Sequence, residues 1–482
     1  MKAPYPGLRP FDIKESKIFQ GRQEQIDKLY NLLNTNRFIA VIGASGSGKS
    51  SLVKAGLLPE LLDNNKSNIS WRVAELKPGI RPIKALTKAL LEIDALAREN
   101  AGKENCHEYF YTKLKASTFG LIEIIQETEL PDNTNLLIIV DQFEEIFRSM
   151  HYSDNKEVRA FVYLLIEAIN KKGIPLYVLI TMRSDFIGEC AAFYNFAELV
   201  GDNIFLVPRL KLKQLREIIT LPAIHFGATV EPSLVTRLIN DMNANQMKDM
   251  NLTRDQLPVL QHALMQMWFK SVEKKDTKTF TLEDYQTIGT LTDSITKHAD
   301  KIYSKLDAKQ QPIASILFKC LVEHSKNHGD MRRTVLLKDA AQVAQVNENE
   351  IEKIVNEFSR TNCNFLTYSE TDEGIDITHE SLIRQWKQLI TWKDEEKDAA
   401  FTYFELIRKE QDREFLNRSS LERAVKWKNG TNKIWAERYN KEPKQDKEIK
   451  IQTFPRNIGT TNLFSFEYQF QSLSMLESIN KY

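Results

Sequence analysis

Cysteine is scarce in this chain: four in 482 residues, at Cys106, Cys190, Cys320 and Cys363, with no Cys-x-x-Cys pair. That spacing fits buried or incidental thiols of a reducing cytosol better than a zinc site or a disulfide framework. Long apolar runs are missing too. The longest, such as Leu136-Leu137-Ile138-Ile139-Val140, are strand-length, where a membrane helix needs about 20 residues. The opening Met1-Lys2-Ala3-Pro4-Tyr5-Pro6-Gly7 holds no apolar stretch of a secretory signal. Charge of one sign is not in excess either. Sixty-six Lys and Arg against 65 Asp and Glu leave a net charge of +1, which predicts neither wholesale nucleic-acid binding nor an acidic tail. No repeat with a period of about 20–50 residues runs through the chain. What remains is a cytoplasmic globular protein with no membrane association, of about two to four domains at this length.

What is present begins with an alternation. Short apolar segments at 38–42, 72–76, 136–140, 176–181 and 204–207 read as strands, separated by helical patterns at 23–33, 50–62, 83–96, 119–127 and 158–171. Alternating strands and helices predict an α/β fold with a parallel sheet, and near-continuous Ile/Val/Leu strands predict cover on both faces. This region is assigned to 1–210. From 211 to 308 helical patterns take over, with Leu257 to Trp268 apolar at helical spacing, and a helical lid is expected. Over 309–395 three helix stripes (Ile313, Ile316, Leu317, Cys320, Leu321; then 336–346; then Ile351, Ile354, Val355, Phe358) precede a hairpin signal at 364–369 and 375–378. Three helices and a hairpin read as a winged helix. One further helix is expected from His379 through Trp386 to about Trp392, and a charged helical extension over 396–440. In the tail, 441–482, Phe464, Phe466, Tyr468 and Phe470 alternate as in a strand with no evident partner.

Within the first region, Gly43-Ala44-Ser45-Gly46-Ser47-Gly48-Lys49-Ser50 fits the Walker A pattern, which arises by chance in roughly one or two of a hundred chains of this size. The preceding strand and following helix supply the context that the motif needs. Glycines let the backbone curl with its N–H groups inward, Lys49 supplies a point charge to the outer phosphates, and the Ser50 hydroxyl joins a Mg²⁺ shell. Ser51 follows in the same turn. A phosphate loop needs an acid at the end of a neighbouring strand, and Asp141-Gln142-Phe143-Glu144-Glu145 directly follows 136–140. Asp141 is the metal-shell candidate, and Glu144 or Glu145 the base that polarises the attacking water. Arg183 ends another buried strand, placed either to sense a terminal phosphate or to pair with Asp185.

These segments, with Tyr5-Pro6-Gly7-Leu8-Arg9-Pro10-Phe11, Phe19-Gln20-Gly21-Arg22, 181–186, 257–268, 285–306 and Thr378-His379-Glu380-Ser381-Leu382-Ile383-Arg384-Gln385-Trp386 in one order, resemble the bacterial STAND-type signal-transduction NTPases. Specifically, they resemble the group whose NTPase domain often precedes WD-repeat propellers, over roughly residues 4 to 440. The resemblance implies that Phe19, Gly21 and Arg22 lie near adenine and ribose and that Pro258 touches the base. It further implies that Arg183 is the sensor arginine and that His379 reaches the β-phosphate of bound ADP. It also implies a molecular switch that is ADP-bound and closed when idle, ATP-bound and often oligomeric when triggered. The chain departs from the usual build: only a short segment precedes Phe19 and no propeller follows residue 440. Protein partners are therefore expected to supply sensor or effector, and the tail after Lys441 is read as a truncation or a shifted frame. One hydrogen bond to a charged phosphate is worth about 1.5–3 kcal/mol, while swinging a switch from 1:99 to 99:1 takes about 5.5 kcal/mol, so packing must contribute beside His379.

Two other readings compete. A DNA-binding regulator would place the third helix in the major groove. That helix carries Glu348, Glu350, Glu352 and Glu357 against Lys353 and Arg360, a balance that repels the phosphate backbone. A cycling AAA-type remodelling machine would need an arginine from a neighbouring subunit and steady turnover.

Overall fold

The computed structural model describes residues 3–63, 68–96, 105–152, 155–248, 255–273, 279–325, 329–368, 374–411, 418–432 and 434–436. Five strands, β1 (Phe38–Gly43), β2 (Ser70–Leu76), β3 (Thr134–Val140), β4 (Leu176–Arg183) and β5 (Ile204–Leu206), form one sheet in the order β2-β3-β4-β1-β5. All pairings in it are parallel. Side chains alternate across a strand, and the two faces meet different cores. Ala40, Ile42, Ile138, Val140, Val178 and Ile180 pack in one cluster, and Ile39, Val41, Leu137, Ile139 and Leu179 in the other. Both faces are covered by helices, so the uninterrupted apolar runs have a reason. All five strands fall where the sequence places them, within two residues at each end.

The sheet's register sets up the site. Gly43 of β1 lies beside Arg183 of β4, and Val140 of β3 beside Ile180, which brings Asp141 next to Thr181. Three strand C-termini therefore end within reach of one another, where ligands of parallel sheets bind. The helix after β1 is interrupted by a π-helical stretch: Lys49–Ser51 and Leu58–Leu61 are α-helical and Leu52–Leu57 is π. The helix expected over 83–96 stops at Leu90.

Beyond the sheet, helices Leu212–His225, Pro232–Lys248, Gln256–Glu273, Leu282–Ile288 and Thr290–Tyr303 carry only a small parallel pair, β6 (Thr229–Val230) with β7 (Thr279–Phe280). Then follow helix Gln310–Cys320, an antiparallel hairpin of β8 (Val322–Ser325) and β9 (Gly329–Arg332), the strand β10 (Val335–Leu336), and helices Leu337–Ala344 and Glu348–Phe358. The hairpin β11 (Leu366–Tyr368) and β12 (Gly374–Ile377) completes a three-stranded antiparallel sheet with β10. The three helices and the late hairpin match the sequence expectation. The β8–β9 hairpin was not foreseen. Apolar residues from 215 to 306 and from 314 to 392 form one continuous core, into which Tyr5 and Leu8 of the N-terminal strap also pack.

The helix expected from His379 to Trp392 is two helices, Ser381–Gln385 and Lys387–Gln411. Trp386 breaks it with extended backbone, φ −71° and ψ 106°. Its fully buried indole lies among Phe318, Phe358 and Trp392 and donates from Nε1 to Asp300 at 2.7 Å. The gain from seating that large ring outweighs one continuous helix. Helix Arg418–Gly430 follows, and Tyr403, Trp427 and Trp435 build a small aromatic core with Cys320 and Val343. Residues 441–482, with Phe464, Phe466, Tyr468 and Phe470, lie outside the described residues. Among the described residues no helix is long and apolar enough to cross a membrane.

Candidate phosphate and metal site

The loop between β1 and Lys49 turns on glycines. Gly46 and Gly48 have φ of 70° and 88°, in the left-handed region that glycine alone enters without cost. A Cβ at Gly48 would meet nothing within 4 Å, so the loop leaves room for ligand atoms there. Lys49 is buried and its Nζ donates to the carbonyls of Gly43 and Ala44 at 3.0 and 2.9 Å. Burial lowers its pKa, and Glu144 supplies the strongest counter-charge. Arg22, buried from the other side, donates to the carbonyls of Pro208 at 2.7 Å and Ser47 at 3.1 Å. Burial lowers its guanidinium pKa to about 10, so it stays charged at neutral pH. Gly21 next to it has φ 76°, and a Cβ there would come within 2.9 Å of Ile218. Phe19 packs its ring against Phe11 at 5.5 Å, and Ser51 accepts a hydrogen bond at 3.1 Å from the Phe11 N–H.

Ser50 Oγ donates to Asp141 Oδ1 at 2.7 Å, and Thr181 Oγ donates to the same oxygen at 2.6 Å. Burial pushes the Asp141 carboxyl up, but Lys54, Lys77 and the two hydroxyl bonds outweigh it and hold the group below its ordinary value. Its other oxygen, Oδ2, is buried with no hydrogen-bond partner, as is the Ser47 hydroxyl. A buried orphan acceptor is costly unless something binds it. A serine oxygen beside a carboxylate is the hard-oxygen donor set that Mg²⁺ takes, completed by phosphate and water. The residues present therefore fit Mg²⁺ with a nucleotide. Gln142 follows Asp141 with φ 62°, and its N–H donates to Thr181 Oγ at 2.9 Å, which holds the turn.

A family model described as Novel STAND NTPase 1 matches residues 4–420. The chain belongs to that family. It is a P-loop NTPase of the STAND class, and nucleotide binding is the family's common property. Among solved structures it is similar to the ORC2 protein of Aeropyrum pernix in ADPNP–ADP complexes, at 12% identity, TM-score 0.41, over 78% of this chain and 94% of that one. It is also similar to the A. pernix ORC1 protein in complex with DNA, at 13% identity, TM-score 0.41, over 79% and 94%. A third likeness is the Walker-type ATPase paby2304 of Pyrococcus abyssi, at 11% identity, TM-score 0.36, over 79% and 98%. No curated protein matches the chain.

In this STAND NTPase the two glutamates after Asp141 have different surroundings. Glu144 is buried near Lys49 and accepts from the Arg183 N–H at 3.3 Å. Burial pushes its carboxyl up, against Lys49 and Arg183, the direction that suits a proton acceptor working near neutral pH. Glu145 accepts from the Gly79 N–H at 3.1 Å and pairs with Arg332 at 3.4 Å and Arg148 at 3.6 Å. Geometry separates them: Glu144 faces the phosphate loop, and Glu145 is fastened sideways.

Arg332 comes from the end of β9. One of its nitrogens donates to Gln142 Oε1 and Glu145, the other to Asp376 at 2.8 Å and the Ile377 carbonyl at 3.3 Å. No local signal in Met331-Arg332-Arg333 marks it. Arg183 is clasped by Asp185 through Nε at 3.1 Å and Nη2, and donates from Nη1 to Glu380 at 3.1 Å. Both alternatives read for Arg183 are compatible with this position, since the Asp185 pair leaves Nη1 aimed across the site.

From the His379-Glu380 segment, it is Glu380 and not His379 that touches the phosphate loop. Glu380 accepts from Ser45 Oγ at 2.8 Å. His379 turns its Nδ1 to the Ser381 N–H at 3.1 Å, and burial lowers its pKa, so the ring stays neutral. Asp255, just before helix Gln256–Glu273, shares the Ser45 hydroxyl at a longer 3.1 Å and pairs with Arg384. Pro258 lies three residues on, in the first turn of that helix. Among the described residues no cluster of three or more His, Cys, Asp or Glu could hold a metal alone.

Proposed function

We propose that this STAND NTPase is a conformational switch in signal transduction or defence, which binds and slowly hydrolyses ATP, closed with ADP and open with ATP. The observation that carries the reading is the bridge of buried charge from residues 332–384 onto the phosphate loop and the segment after Asp141. Glu380 reaches Ser45 and Arg183, and Arg332 reaches Gln142 and Glu145. Any rearrangement at the phosphates must move the C-terminal block or be resisted by it. The block also shares its core with the lid helices, so packing supplies the several kcal/mol that one histidine contact cannot.

In this reading an NTPase core over 1–210 carries a helical lid over 211–308, a winged helix over 309–395 and a helical extension over 396–440, with 441–482 unassigned. Ser50 and Asp141 would hold Mg²⁺, which would supply charge neutralisation at the transferred phosphoryl group. Gly43, Ser45, Gly46, Ser47, Gly48, Lys49 and Ser51 line the phosphates, and Phe19, Gly21, Arg22 and Pro258 the nucleoside side. Glu144 is the base that orients and deprotonates the water, with Glu145 a brace, and Arg183 acts at the terminal phosphate. His379 has its Nε2 left for a β-phosphate, because Nδ1 is taken by Ser381. A homo-oligomer forms in the ATP state, in the cytoplasm, with separate proteins as sensor or effector. Helix Glu348–Phe358, with Glu348, Glu350, Glu352 and Glu357, argues against duplex DNA as the partner. Steady-state hydrolysis tests the reading. Turnover far below 1 s⁻¹ without a trigger is expected, and untriggered turnover of about 1 s⁻¹ or more would favour a cycling machine instead.

A further inference from the structure

Arg183 presents all three of its nitrogens to carboxylates: Nε and Nη2 to Asp185, Nη1 to Glu380. The two oxygens of Glu380 are divided in turn between Arg183 and the Ser45 hydroxyl of the phosphate loop. Burial alone would raise the Glu380 carboxyl, but the Arg183 and Arg332 guanidiniums beside it hold it well below the usual carboxylate range. The group is therefore a full negative charge with one oxygen on a phosphate-loop hydroxyl and one on the arginine at the end of β4. That is the charge and acceptor pattern that a phosphoryl group presents to the same donors.

We infer that Glu380 is a specificity residue for diphosphate over triphosphate: an internal anion that competes with the third phosphate of ATP for Arg183 and Ser45. The inference rests on the nucleotide-binding reading above and adds a cause for its two states. A nucleoside diphosphate ends short of Arg183 and leaves the Arg183–Glu380 pair in place. For Arg183 to reach a third phosphate, Nη1 must release Glu380, because Asp185 already holds its other edge. Two anions cannot share that nitrogen in a water-poor site without mutual repulsion. Release of Glu380 loosens the segment that runs from β12 to Trp386, and with it one of the ties between the C-terminal block and the sheet.

The test is the ratio of ATP to ADP affinity, measured by calorimetry with Mg²⁺ on the full chain. Glu380→Gln keeps the shape and removes the charge. It is expected to shift the ratio toward ATP by about tenfold, within the usual range for coupled sites. In an Arg183→Ala background the same substitution is expected to leave the ratio unchanged. A ratio unmoved by Glu380→Gln, or moved equally without Arg183, overturns the inference while leaving nucleotide binding intact. Absence of binding by the wild-type protein overturns both. Hydrogen exchange in residues 376–386 of the wild-type chain needs no variant. It is expected to be faster with a non-hydrolysable ATP analogue than with ADP, and equal protection in the two overturns the competition.

Discussion

The two parts of this molecule that meet at the phosphate site are built on opposite terms. The strand ends of the sheet offer a local cradle: a glycine loop, a left-handed Gln142 and hydroxyls of Ser50 and Thr181 around one aspartate. The later segments offer side chains from distant positions: buried Asp255 before helix Gln256–Glu273, buried Arg332 and Glu380 of the C-terminal block, and half-buried Arg384. The first part binds by local geometry that any neighbour could surround. In the second, Arg332 and Glu380 pair with groups of the first, so the position of that block depends on what those groups hold. The proposed switch needs that asymmetry, one side preformed and the other conditional.

Substitutions can break the comparison at either side. The largest effect is expected at the sheet. Glu144→Gln should lower hydrolysis by about 10²–10⁴-fold, whereas Glu145→Gln, removing a brace, should cost far less turnover. Equal losses in a steady-state phosphate-release assay would contradict the separation of the two glutamates. On the conditional side, Arg332→Ala leaves Asp376 buried without its cation, a loss of about 3–5 kcal/mol in stability. Denaturant unfolding with a change under about 1 kcal/mol would mean the pair is spare. Lys49→Ala should weaken nucleotide binding by about 10–10²-fold, from a charged contact worth about 1.5–3 kcal/mol. Undiminished affinity would remove the phosphate-loop assignment.

The smallest effect concerns pH. His262 and His298 lie 3.3 Å apart, ring nitrogen to ring nitrogen, beside Phe365 of the C-terminal block. Burial, with Lys301 and Lys305 nearby, lowers His298 from 6.5 to about 3, and His262 also falls well below 6.5. The unfolded chain takes up protons below pH 6.5 and the folded one does not, so stability is full above that value and is lost as pH falls toward 3. The slope is about 1.4 kcal/mol per pH unit for each histidine. Unfolding free energies at pH 6 and 5 should differ less in His298→Gln than in the wild type, and an unchanged slope would contradict the buried neutral pair.

How much was legible follows the same division. The sheet, its five strands and the phosphate loop could be read because apolar period, glycine spacing and the acid at a strand end are local. Asp141 and Ser50 do meet, since parallel register carries β1, β3 and β4 to one edge. Arg332 was not legible: its partners beside Asp141 lie 187 and 190 residues away, and its hairpin has no apolar alternation that marks a strand. Glu380 stands inside the segment that carries the family resemblance, but nothing local in the sequence favours its contact with Ser45 over one from the neighbouring His379. The break at Trp386 was hidden because helical spacing continues through it, and only the aromatic core explains the turn.

The central claim is that the C-terminal block moves with the identity of the nucleotide. Small-angle scattering of the full chain with Mg²⁺ tests it most directly, comparing ADP with a non-hydrolysable ATP analogue at saturation. The account predicts a larger radius of gyration with the triphosphate, and superimposable profiles for the two nucleotides would contradict it.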